Sequence, residues 1–106
     1  MPLFVYTIQR YMFFGNKIRN LRENKGLVLR QVAAVLEVDT ATISKIERGD
    51  RQAKEEHLPL LANLLDTNLE ELKTLWLAEK VYHIIREEKN AIEVLNTVIE
   101  YNKTNA

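Results

Sequence analysis

Residues 37–49 read Glu37-Val38-Asp39-Thr40-Ala41-Thr42-Ile43-Ser44-Lys45-Ile46-Glu47-Arg48-Gly49, and their reading decides the fold. Asp39 is a strong helix N-cap, because its carboxylate can accept from the otherwise unpaired backbone N–H of Thr42 or its neighbour. Ile43 and Ile46, three positions apart, share one face of the helix that follows. Gly49 supplies its stop, since glycine enters the left-handed region without penalty. Just upstream, the apolar positions Val32, Ala33 and Leu36 predict a second short helix over about Leu29 to Leu36.

Two short helices joined by a tight turn have the dimensions of a helix-turn-helix. Ala33 is small where the two axes must approach, Leu36, Val38 and Ile43 fill the angle between them, and Ile46 anchors the second helix. Thr40, Ala41, Thr42, Ser44 and Lys45 are then left on the outer face, near the N-terminal end. Small polar groups placed there can reach base edges while the helix N–H groups point at phosphate.

Outward from this pair the pattern stays helical. Phe14, Ile18 and Leu21 predict a helix ahead of Gly26, which stands where a glycine C-cap ends one. A fourth helix is expected over about Glu55 to Leu65, with Pro59 in its second turn bending the start. Thr67-Asn68-Leu69-Glu70 reads as a capping box opening a fifth helix that meets no stop before about Glu88. Asn90-Ala91-Ile92-Glu93 opens a last, amphipathic helix to about Tyr101. Residues 3–8 are β-branched and aromatic and read as a short strand. They either pair with a symmetry mate as a ribbon or form a leader ahead of Met12.

Composition narrows the function. The 106 residues include no cysteine, which excludes disulfides and thiolate metal sites, and no apolar run approaches a membrane span. The cytoplasm is the expected compartment. Net charge is zero, but residues 1–52 hold nine Lys or Arg against five Asp or Glu, and residues 53–106 hold six against ten. A basic front and an acidic back orient a molecule on a polyanion while keeping non-specific affinity modest. His57 and His83 stand alone, without a ligand pattern, so no metal is expected. The acidic pairs Glu55/Glu56, Glu70/Glu71 and Glu87/Glu88 occupy adjacent helix positions that do not face each other. Neither catalysis nor a cofactor is expected.

The segment over residues 14–72 resembles the phage repressor/Cro (XRE) family. The likeness rests on Ile18-Arg19-x-Leu21-Arg22, Gly26-Leu27, Val32-Ala33-x-x-Leu36, the string Ile43 to Gly49, and Leu61-Ala62. Leu75-Trp76-Leu77-Ala78-Glu79-Lys80 and the added helix look like the subset found beside restriction–modification genes. The resemblance implies base reading by Thr40, Ala41, Thr42, Ser44 and Lys45, with Lys45 on a guanine edge. It implies phosphate contacts by Arg48, Arg51 and Gln52, and a structural ion pair between Arg22 and Glu47. Where the family has Ser or Thr followed by Gln at the start of the second helix, this chain has Val28 and Leu29, so Arg30 is the substitute phosphate anchor. Where the family often has a turn glycine, this chain has Glu37.

The expected architecture is all-α. Residues 1–11 form an N-terminal segment, 12–74 a five-helix DNA-binding domain, and 75–106 a helical extension. Trp76, Tyr82, Ile85, Ile92, Leu95, Val98 and Ile99 are either a satellite core or a dimer interface, and the interface is preferred because a compact domain leaves them little core to cover. The expected protein is a homodimeric regulator binding an inverted repeat in double-stranded DNA. Its rivals are an antitoxin with a toxin partner and an adaptor whose helix-turn-helix no longer binds DNA.

Overall fold

The computed structural model describes residues 13–105, which form six α-helices and one 3₁₀ turn, with no strand among them. The strand expected at residues 3–8 lies outside the described residues. The helices are α1 (Phe14–Asn24), α2 (Leu29–Leu36), α3 (Thr40–Arg48), α4 (Leu58–Leu64), α5 (Leu69–Ile85) and α6 (Ala91–Asn105).

Four successive helices end in the same way. After α1, Gly26 is left-handed at φ 69°, and the N–H groups of Gly26 and Leu27 return to the carbonyls of Glu23 and Arg22 at 2.9 and 3.0 Å. Glu37 after α2 (φ 57°), Gly49 after α3 (φ 80°) and Asp66 after α4 (φ 52°) repeat that paired closure. Each turn satisfies two carbonyls that the helix end leaves orphaned. At Glu37 and Asp66, which carry a Cβ, the side chain opposes the conformation.

Sequence and structure part at two helix starts. The expected fourth helix divides into a 3₁₀ turn, Glu55–His57, and α4, where Pro59 occupies the first turn. A proline there removes a donor that no intrahelical carbonyl would have met. The cap of α5 is Asn68 and not Thr67, its side-chain oxygen accepting from Glu71 N–H at 3.0 Å. Val28 precedes α2 with no side-chain acceptor, so only half a capping box forms: Val28 N–H donates to Gln31 Oε1 at 2.8 Å.

One core joins α1 to α5. Phe14 and Ile18, Val32, Ala33 and Leu36, Ile43 and Ile46, Leu58, Leu61 and Leu65, and Leu72 pack together. Trp76 belongs to this core at 5% exposure, its indole N–H donating to the Ala53 carbonyl at 2.7 Å. That corrects its placement on a dimer face: an indole with a buried partner gains both apolar burial and a hydrogen bond. Ile85 is likewise buried, outside the core cluster, and Tyr82 is half exposed with its ring against Phe13 at 4.9 Å. Ile92, Leu95, Val98 and Ile99 all remain exposed, and α6 buries no residue.

Candidate nucleic-acid interface

The candidate interface begins at the start of α3. Asp39 caps the helix, accepting from Thr42 N–H at 2.8 Å and from Thr42 Oγ1 at 2.6 Å. These bonds hold the Asp39 carboxyl below the usual carboxylate range, with Arg51 and Lys45 adding to the effect. Thr42 Oγ1 also accepts from Arg51 Nη1 at 3.3 Å, so one hydroxyl links the cap to a cation. Thr40, Ala41 and Lys45 are exposed, whereas Thr42 and Ser44 are partly covered.

A second small network lies at the other end of α3. Arg48 Nη1 donates to Ser44 Oγ at 2.6 Å, and Arg48 Nε donates to Asp50 Oδ2 at 3.1 Å. Of the side chains expected to read bases, Thr42 and Ser44 thus already have intramolecular partners. Among the described residues, the side chains of Thr40 and Lys45 form no hydrogen bond or ion pair of that kind.

The expected phosphate contacts divide similarly. Arg30, Arg48 and Arg51 are exposed. Arg30 shares an open depression with Arg22, Val28, Leu29 and Thr40, which brings the start of α2 beside the start of α3. Gln52 is turned inward, its Nε2 donating to the Trp76 carbonyl at 3.3 Å, so this side chain fastens the loop to α5. Lys54 went unnoticed in the sequence. It lines a depression with Thr42, Arg51 and His57, and the only signal for it was its position shortly after Arg51 in a basic loop.

Helix α3 is held from behind. Arg22 and Glu47 form a two-pronged pair, with Nε to Oε2 at 2.7 Å and Nη2 to Oε1 at 3.1 Å, both side chains largely buried. Arg22 Nη1 also donates to the Leu27 carbonyl at 2.9 Å, tying α1, the turn before α2 and α3 together. Gly15 lets α1 close on the end of α3. A Cβ there would lie 2.5 and 2.6 Å from the carbonyl oxygens of Ile46 and Glu47.

These elements have one common use. Two short helices meet at a left-handed turn, and the second is capped, braced from behind and flanked by exposed cations. A helix so held can enter the major groove while nearby cations meet phosphate. The described helices include none long and apolar enough to cross a membrane. Comparison with curated proteins and with solved structures gave no match. The sequence profile named Helix-turn-helix matches residues 18–72, just over half the chain. With that match, the chain belongs to the helix-turn-helix family of the phage repressor/Cro (XRE) type, whose members are DNA-binding transcription regulators.

Proposed function

We propose that this regulator is a cytoplasmic homodimer that binds an inverted-repeat operator and represses or autoregulates nearby genes. The observation that carries the reading is the exposed start of α3, where Thr40, Ala41 and Lys45 stand clear while Arg48 and Arg51 flank them. Lys45 is the reader of a guanine edge, and the methyl groups of Thr40 and Ala41 suit thymine. Arg30, Arg48, Arg51 and Lys54 supply phosphate contacts, which fix register without reading sequence.

The dimer reading rests on uncovered apolar surface. Beyond the core-facing side of α5, Leu77, Val81 and Ile84 form a second stripe, 45, 42 and 77% exposed. Ile92, Leu95, Val98 and Ile99 add a stripe on α6. A second copy of the chain covers such a face by two-fold symmetry and sets two recognition helices about one turn of DNA apart, roughly 34 Å.

The deciding experiment selects duplexes from a randomised pool and titrates the winner against salt, with Lys45→Ala alongside. The regulator reading expects an inverted repeat, a steep fall of affinity with salt and loss of sequence preference in the variant. Recovery of no preferred sequence would overturn it and favour an antitoxin or adaptor role.

A further inference from the structure

A second buried carboxylate, Glu79, plays no part in the interface just described. It lies on α5, past the end of the matched segment, and is only 5% exposed. Its side chain shares a cleft with Gly15, the second residue of α1, and the backbone N–H of Gly15 favours its charged form. That amide is one of the donors a helix leaves unpaired in its first turn, and Phe13 at the N-cap offers no side-chain acceptor. The first turn of α1 is therefore met across space by a carboxyl group from far along the chain.

Gly15 is also the point where α1 meets α3 closely enough to exclude a methyl group. The same residue thus offers its amide to α5 and its Cα to the last turn of the recognition helix. The ring contact between Phe13 and Tyr82 closes this corner, and the Arg22–Glu47 pair fastens α1 to α3 further along.

We propose that Glu79 is a positioning residue for DNA recognition: by holding the Gly15 amide it seats the first turn of α1 against the last turn of α3, so that the recognition helix is oriented from α5. This rests on the DNA-reading role of α3 given above. It also makes residues beyond the matched segment part of the recognition apparatus.

The surroundings give Glu79 a signature of its own. Asn16 and Arg19 of α1, Glu47 and Arg48 of α3, and Gly49 line one cleft with it, and His83 lies one turn further along α5. Burial pushes the Glu79 carboxyl above its ordinary value, while His83 and the Gly15 N–H pull against that rise. A raised folded value means that its stabilising contribution is full below the unfolded value, 4.5, and is lost as pH rises through the folded one.

Two variants of the full chain test the proposal. Glu79→Gln keeps an oxygen acceptor for Gly15, whereas Glu79→Leu keeps bulk without one. Amide exchange and chemical shifts are followed by NMR, stability against pH by urea unfolding, and DNA affinity with a duplex selected by the wild-type chain. For Glu79→Leu we expect Gly15 to exchange at least about tenfold faster, the α3 amides to shift, and duplex binding to weaken about tenfold. For Glu79→Gln we expect near-wild-type exchange and affinity, and a flatter pH profile of stability above pH 4.5. Unchanged Gly15 exchange in Glu79→Leu, or equal damage from the two variants, would overturn the proposal. Should Glu79→Leu not fold, Gly15 exchange and the α3 amide shifts in Glu79→Ala decide instead, and wild-type values there overturn the proposal. If the wild type selects no duplex, the DNA-reading role falls, while Gly15 exchange and the α3 shifts still decide whether Glu79 seats α1.

Discussion

Replacing Glu37 by glycine should stabilise the protein, although it removes a side chain. Glu37 sits at φ 57° and ψ 44° between the two helices of the motif. An L-residue in that region is disfavoured by about 1–2 kcal/mol relative to the right-handed one, because Cβ crowds the carbonyl. Glycine escapes this but loses more backbone entropy on folding, a penalty of about 0.5–1 kcal/mol. The difference leaves a gain of about 0.5–1 kcal/mol. Glu37 is exposed and forms no ion pair among the described residues, so little opposes that gain. For a domain of this size the melting temperature should rise by about 2–5 °C at fixed protein concentration. Urea unfolding should move to a higher midpoint with unchanged slope, the sign of a stability change without a change in exposed surface. Gly49→Ala is the mirror experiment. Nothing lies within 4 Å of a Cβ built there, so its destabilisation of about 0.5–1 kcal/mol reports backbone conformation alone. A Glu37→Gly protein no more stable than wild type would refute the reasoning.

Further outcomes follow from the same geometry. Gly15→Ala introduces a methyl between α1 and the carbonyls of Ile46 and Glu47, so urea unfolding should show a loss of about 1–3 kcal/mol, and no loss would mean that the helices part easily. Trp76→Phe leaves the Ala53 carbonyl without its buried donor, and far-UV circular dichroism should record a loss of about 1–3 kcal/mol. Asp39 is held below its ordinary carboxyl value, so its contribution is present above 3.8 and lost as pH falls through the folded value. The acid limb of the stability curve should therefore be shallower in Asp39→Asn below about pH 3.8. Changing Leu77, Val81 and Ile84 together to Gln, Lys and Gln should turn a dimer into a monomer in sedimentation; a dimer that persists would move the interface elsewhere.

The helix-turn-helix was legible because its signals are local: a cap at Asp39, glycine stops at Gly26 and Gly49, and apolar positions at helical spacing. The helix starts after residue 52 were less so. Whether a chain opens as 3₁₀ or α, or caps on Thr67 or Asn68, turns on small differences that packing decides. Trp76 was misplaced because an apolar residue has no label saying which core it joins; the carbonyl of Ala53 supplies that information only in space. The second stripe of α5 was missed for a related reason. Its helix is apolar on two sides, so Leu77, Val81 and Ile84 blend with the core-facing positions instead of standing out as a face. At the interface, sequence located the exposed residues of α3, whereas the inward turn of Gln52 and the hydrogen bonds of Thr42 and Ser44 depend on side-chain geometry.

Those hydrogen bonds on the outer face bear on the thermodynamics of binding. A long flexible cation that becomes fixed on a partner forfeits about 0.5–1.5 kcal/mol of rotamer freedom. Arg48, held by Ser44 and Asp50, and Arg51, held by Thr42, surrender part of that freedom when the chain folds. A calorimetric titration should therefore show a smaller entropic penalty for these two side chains than for unrestrained arginines. The restraint also makes the face exacting. On the proposed function, a phosphate in the wrong place is met only by breaking bonds the protein already holds, so affinity is expected to depend on the width and pitch of the groove as well as on its bases.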